Sequence, residues 1–326
     1  MSMTHRERMA AAIAGTDADR APVALWRHFP VDDADAEQLA LSVAAFQYQY
    51  DWDLIKLTPL SNYSVADWGS NAVYRGHPEG TSERITSPIS SPADWESLQP
   101  LDPHTGALGR QLKCIRRLRE LVGPDIPILE TVFNPLSQAR HLISAGMEVV
   151  HLRQHPQQLT AALEAITATT VAFVQAALEA GADGIFYAIQ HARATVLSPD
   201  EYRETCRALD LRILEAASPG SLNLLHLHGQ NTYFELCADY PVHALNWHDR
   251  ETGPSLAEGA QRFAGLVVGG LSQADLVEGN STQIHELAQQ AIAATGGRRV
   301  CLSTGCVLPT VAPWGNIRAL RAAVET

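Results

Sequence analysis

The stretch "LTAALEAITATTVAFVQAALEAGADGIFYAI" (residues 159–189) decides the fold class. Up to Ala180 its apolar side chains recur at helical spacing, with Leu159, Leu163, Ile166, Phe173 and Val174 along one stripe. Gly181 interrupts that pattern, and "DGIFYAI" (183–189) follows as a short, almost wholly apolar run. A strand of that composition has no solvent face. It suits a parallel sheet buried on both sides.

The same alternation recurs along the chain. Strands are expected at "APVALWRHF" (21–29), "DLIKLTP" (53–59), "IPILETVF" (126–133), 183–189, "LNLLHLH" (222–228), "ALNWH" (244–248), "GLVVGGL" (265–271) and "RVCLST" (299–304). Helices lie between them. Thr4 and Glu7 frame a capping box at the start, Gly123 closes the helix "ALGRQLKCIRRLRELVG", and Ser198-Pro199 opens another. Residues 61–103, rich in Ser, Pro and Gly, read as an excursion containing a hairpin. Eight buried strands interleaved with helices favour an α/β fold: one (β/α)8 TIM barrel domain over residues 1–326, with an N-terminal helix and an excursion after strand two. No strand is followed by G-x-G-x-x-G, so dinucleotide binding has no support.

The chain has 326 residues, 46% of them hydrophobic, which is ample for a large core. Its net charge is −12, and its one basic cluster, "RRLR" (116–119), reads as a solvated helix face; no nucleic-acid partner is expected. Five cysteines without compact spacing point away from a disulfide framework and towards a reducing compartment. The start is polar and mixed in charge, and no run approaches the roughly 18 apolar residues of a membrane span. A cytoplasmic protein without membrane contact is the expectation.

Active sites of such barrels lie at the C-terminal strand ends. Those ends offer Trp26, Arg27 and His28; Lys56 and Thr58; Glu130 and Asn134; Tyr187, Gln190 and His191; His226, His228 and Gln230; Asn246, His248 and Asp249; Ser272 and Gln273; and the loop residue Cys306. Arg27 is expected to anchor an anion and Lys56 to meet a ligand or a carboxylate, because a buried lysine is costly unless paired. Trp26, His28, Tyr63, Tyr187, Gln190, His191 and Gln230 are expected to contact a small-molecule substrate. His248 joins Arg27 and Lys56 as a catalytic candidate; Asp249 either orients it or caps the next helix. His226 and His228, two apart on a strand, present imidazoles to one face. With Cys306 they form a donor set suited to zinc. The alternative is that both histidines hydrogen-bond substrate or each other.

Four segments in order resemble the uroporphyrinogen decarboxylase-like superfamily: "RAPVALWRHFP", "EAGADGIFYAIQHARATVLSPDEYRETCRALDLRIL", "HALNWHDRETGPSLAEGAQRFAGLVVGGLSQADLVEG" and "LSTGCVLPTVAPWGNIRALRAAV". That superfamily includes the decarboxylases and zinc-dependent methyltransferases acting on corrinoid proteins and thiols. The resemblance implies one barrel and a homodimer. The decarboxylases carry a Met-Arg-Gln-Ala-Gly-Arg-Tyr run after strand one; here "WRHFPVD" keeps Arg27 but lacks the second arginine and the tyrosine. Their aspartate after strand two is replaced by "TP" in "KLTPLSNY". A porphyrinogen needs several cationic partners, so the fold is supported more than the namesake reaction. The methyltransferase branch binds zinc through His-x-Cys and a distant Cys. By resemblance His226 takes the histidine's place, His228 replaces the first cysteine, and Cys306 is the distant one. The leading expectation is therefore zinc-assisted methyl or alkyl transfer involving a thiol or a corrinoid, with a corrinoid protein as a further partner. Cofactor-free decarboxylation of uroporphyrinogen or a related acid, and a non-catalytic tetrapyrrole- or corrinoid-binding module, are the alternatives.

Overall fold

A computed structural model describes residues 2–325. The chain is an α/β protein built on a curled seven-stranded parallel sheet. The strands are β1 (Ile55–Leu57), β4 (Ile128–Phe133), β5 (Gly184–Ile189), β6 (Leu224–Leu227), β7 (Ala244–Trp247), β8 (Leu266–Leu271) and β9 (Val300–Thr304), adjacent in that order. All are buried apart from Phe133 at the end of β4, as their largely apolar composition requires. The excursion carries an antiparallel hairpin, β2 (Asn71–Val73) with β3 (Glu83–Thr86). The opening helix His5–Ala14 has the capping box of Thr4 and Glu7 and ends at Gly15 in the left-handed region.

One expected strand is not formed. Residues 21–29 make a single bridge, Val23 to Leu302 in β9. Pro22 has no N–H to give; its carbonyl accepts from Leu302 N (2.9 Å), and Ala24 N donates back to Leu302 O (2.9 Å). On the other side Asp53 N donates to Val23 O (2.9 Å). Beyond Ala24 the segment leaves the sheet, and Trp26 O accepts from Leu308 N in the loop after β9 (2.8 Å). The segment thus touches β9 and the approach to β1, the two edges of the sheet, without being a regular strand.

The helix Pro156–Glu179 is long and apolar enough, by length and composition alone, to cross a membrane. In this fold it is a core helix. Leu159, Leu163, Ile166, Phe173 and Val174 are buried, and Thr167 and Thr170 satisfy their hydroxyls on the carbonyls four residues back.

Asp53 fixes the N-terminal segment. Its carboxylate is fully buried and accepts from Arg8 Nη1 (2.7 Å), Arg20 Nη1 (2.6 Å), His5 Nδ1 (2.9 Å) and Val23 N (2.9 Å). Burial alone would raise its pKa, but the hydrogen bonds from His5, Arg20 and Val23 with the arginine charge outweigh it, and the pKa lies below the usual carboxylate value. Asp53→Ala leaves Arg20 without its carboxylate and Arg8 with Asp19 alone, and about 3–5 kcal/mol of stability should be lost in urea unfolding. Because the folded pKa is depressed, Asp53's contribution is present above the unfolded value of about 3.9 and fades as pH falls through the lower folded one. The wild type should therefore lose more stability than Asp53→Ala as the pH is taken below about 4.

Candidate metal centre

The period of two along each strand sorts the candidate side chains. On β5, Phe186 and Ala188 face the sheet interior and Tyr187 faces the helices. On β4, Thr131 and Phe133 line the interior cavity, while Glu130 points outward and accepts from Gln111 Nε2 on a helix (2.9 Å). Lys56 on β1 and His226 on β6 face inward. Asn246 on β7 faces the same way and meets His226 there. The loops after β6, β7 and β9 supply His228, His248 and Cys306.

These side chains converge. His226, His228, His248 and Cys306 each offer one ligand atom, and the four atoms lie within 4.8 Å of one another. Cys306 Sγ is 3.7 Å from His228 Nδ1 and 4.0 Å from His226 Nε2. His226 Nδ1 meets Asn246 Oδ1 at 2.6 Å. His248 Nδ1 meets the Glu251 carboxylate at 3.1 Å, which leaves its Nε2 buried without a partner. An orphaned imidazole nitrogen beside two more imidazoles and a thiol is a donor set that fits zinc.

Burial decides the protonation states. It pushes the His228 pKa down to about 4, helped by the neighbouring His248, and His226 lies well below its ordinary value for the same reasons. Both are neutral at pH 7, the form that ligates metals. Burial pushes the Cys306 thiol up to about 11, so a metal would have to displace its proton.

Three of the donors, His226, His228 and Cys306, line a cavity of about 410 Å3. Trp26, His28, Lys56, Phe186 and Gln190 line it, together with Arg84, Arg140 and His141. The Lys56 ammonium lies 4.7 Å from the Phe186 ring centroid and 3.3 Å from Thr58 Oγ1; burial lowers its pKa to about 8. The hairpin tip is pinned over the mouth. Thr310 N donates to Pro78 O (2.7 Å), Gln273 Nε2 donates to Glu79 (3.0 Å), and a Cβ at Gly80 would come within 2.6 Å of His28 Cβ.

Several expected contacts lie elsewhere. Arg27 is half-buried outside the cavity, against Phe29 (5.6 Å) and the His28 carbonyl (3.2 Å), because residue 27 takes the opposite face from its neighbours Trp26 and His28. Tyr63 is in the core, its hydroxyl donating to Thr131 O (2.5 Å). Tyr187 donates to the buried Asp210 (2.7 Å), behind the sheet. His191 is enclosed by Glu148 (3.3 Å) and Ser137 (3.4 Å), and Gln230 is exposed at the rim outside the lining. Asp249 neither orients His248 nor caps a helix: it accepts from Gly270 N (3.1 Å), and burial lifts its pKa to about 7.

A family model described as "Uroporphyrinogen decarboxylase (URO-D)" matches residues 76–326. The chain belongs to the uroporphyrinogen decarboxylase family. Among similar members, the methylcobamide:CoM methyltransferase MtaA of Methanosarcina barkeri is 29% identical over 65% of this chain; the match spans 62% of that enzyme's length. The methylcobamide:CoM methyltransferase MtbA of Methanosarcina acetivorans is 21% identical over 97% of this chain and 96% of its own. A solved "methyltransferase from Methanosarcina mazei" shares the fold, with a TM-score of 0.85 at 23% identity over 99% of this chain and 98% of that one.

Within this family framework the sequence pointed to the donors but not to their supports. Glu251 escaped notice, although its spacing of three from His248 was visible. Arg84 gave no signal, because an irregular excursion has no period to show which side chains turn inward; Arg140 ends the six-residue helix Pro135–Arg140, too short to show a face. Gly305 has a geometric role: a Cβ there would sit 2.8 Å from His248 Cα and 3.0 Å from Trp247 O. Gly305→Ala should push the Cys306 loop away from β7. Zinc affinity, read with a competing chelator, should fall roughly tenfold or more, with circular dichroism unchanged.

Proposed function

We propose that this chain is a (β/α)8 barrel methyltransferase, residues 22–24 standing in for its first strand, which moves a methyl group from a corrinoid to a thiol with the help of zinc held by His226, His228 and Cys306. The convergence of these three with His248, three of the four lining one cavity, carries the reading. The methyltransferase relatives support it. Zinc would supply a Lewis acid that keeps a coordinated substrate thiol deprotonated near neutral pH.

The chain's own residues bind and orient. His226 and His228 are held neutral by burial, so their lone pairs are available without loss of a proton. A donor set with more imidazole than thiolate leaves more positive charge at its centre than a thiolate-rich one, which favours acidification of a bound thiol. Trp26, Phe186 and Ala188 make the inner wall apolar and limit water there. Lys56, Arg84 and Arg140 make another part of the lining cationic, and none of the three takes part in an ion pair among the described residues. They would hold an anionic part of the substrate, the role first expected of Arg27. In the transfer the carbon–sulfur bond forms as the cobalt–carbon bond breaks, its electron pair staying on cobalt, and the thiol proton leaves to solvent. A cavity of about 410 Å3 takes a small thiol, so the corrinoid would be presented at the mouth, by a corrinoid protein or free.

Decarboxylation anchored by Arg27 has less support, since that guanidinium does not line the cavity. Protein purified without chelator should carry one zinc per chain. Given methylcobalamin and a small thiol, it should form the thioether, seen by mass spectrometry, while the methylcobalamin absorbance decays. Cys306→Ser and His228→Ala should each lower zinc content and slow transfer by at least about tenfold. Zinc-free protein with full activity, or zinc-loaded protein that transfers nothing from any methylcorrinoid, would count against the reading.

A further inference from the structure

One side chain ties the donor set together without being a donor. Asn246 is fully buried, and every polar group of its amide is used. Its Nδ2 donates to Val268 O on β8 (2.8 Å) and to Thr304 O at the end of β9 (3.1 Å). Its Oδ1 faces His226 Nδ1 on β6 at 2.6 Å. Four adjacent strands, β6 to β9, thus meet on one amide in the sheet interior.

The two carbonyls settle which way the amide points. A flipped amide would set its oxygen against two carbonyl oxygens, with no hydrogen between them. With Oδ1 towards the ring, the short contact to His226 needs a hydrogen, and only Nδ1–H can supply it. His226 is then the tautomer with its proton on Nδ1 and a lone pair on Nε2. Nε2 is the atom that faces Cys306 Sγ, at 4.0 Å. A free neutral imidazole favours the other tautomer, whose Nε2–H would block that position.

We infer that Asn246 is the positioning residue of the centre, fixing the Nδ1–H tautomer and ring orientation of His226 and, through the Thr304 carbonyl, the place of the loop that carries Cys306. The inference rests on the metal-centre reading for its purpose but not for its geometry. The second tie is direct: Thr304 Oγ1 donates to Cys306 O (2.5 Å), so the residue whose carbonyl Asn246 holds also grips the backbone of the cysteine. A metal-bound histidine is commonly oriented by a hydrogen bond to its other nitrogen, and losing such a partner typically costs about 10–100-fold in metal affinity. The amide is also neutral. It orients the ring without the added basicity that a carboxylate partner would give, in keeping with an electron-poor centre.

The test separates this role from the metal reading. In metal-free wild-type protein labelled with 15N-histidine, the His226 signals, assigned by difference against His226→Gln, should show a protonated Nδ1 and an unprotonated Nε2. Asn246→Asp still offers His226 an acceptor and should keep that pattern, but its second oxygen faces the Val268 and Thr304 carbonyls without a hydrogen to give, so the tie to the Cys306 loop is lost and zinc binding should weaken. Asn246→Leu removes both ties, and should lose the pattern and weaken zinc binding about 10–100-fold while its circular dichroism stays native. If Asn246→Leu does not fold, the wild-type spectrum still decides the His226 tautomer. A wild-type spectrum with the proton on Nε2, or a folded Asn246→Leu with an unchanged His226 pattern and wild-type zinc affinity, overturns the inference. Wild-type protein that shows the Nδ1–H pattern but binds no zinc would leave the positioning of His226 standing and sink the metal reading instead.

Discussion

A parallel sheet of seven strands has two edges, and in this protein the segment from Pro22 to Ala24 bonds to β9 at one and to Asp53, on the approach to β1, at the other. That sharing is the constraint from which the rest follows. It bridges a curled sheet in which one face of every strand turns inward and the loops at the C-terminal ends gather around a common mouth. Asp53 anchors it from beneath by gripping Val23 N together with Arg8, Arg20 and His5. The carboxylate is an ionic knot at the foot of the sheet, while the chemistry-bearing side chains sit at its top. Support and site are thus on opposite ends of the same strands.

At the mouth, burial does two kinds of work. It keeps two imidazoles neutral and one thiol protonated, which places lone pairs and a displaceable proton in a small volume. It also makes hydrogen-bond partners compulsory, since an unpaired polar atom costs free energy there. Most atoms comply: His226 takes Asn246 and His248 takes Glu251. Nε2 of His248 does not, nor do Trp26 Nε1 and His28 Nδ1 in the cavity wall, and the His248 nitrogen sits at the point of convergence. The cavity above is mixed by design of the fold. Strand residues give it Phe186 and Ala188, and the excursion adds Arg84 and hydroxyls.

Comparison of strand ends shows how far the chain could be read before folding. Seven of the eight expected strands form close to where the apolar runs lie. The run at 21–29 reads as a strand by composition, yet Pro22 and the early exit of the chain leave only a bridge. His226, His228 and Cys306 were visible as candidates because histidine and cysteine are chemically conspicuous. Tyr187 and Arg27 were equally conspicuous and went elsewhere: Arg27 lies past the point where its segment leaves the sheet and turns away from Trp26 and His28, while Tyr187 is one residue from inward-facing neighbours, and a step of one along a strand reverses the face. Glu130 illustrates the same rule.

By itself, then, the sequence determined the class of fold, the order of strands and helices, the absence of a dinucleotide-binding loop, and the residue types that could do chemistry at the strand ends. These depend on local periodicity and on side-chain identity, both of which are properties of the linear chain. Only the tertiary structure decided that His248 joins the other three donors, that Asn246 spans four strands to set His226, and that Arg84 rather than Arg27 reaches the cavity. Those facts are distances between residues far apart in the chain, fixed by how tightly the sheet curls and by which face each side chain takes, and no local pattern encodes them.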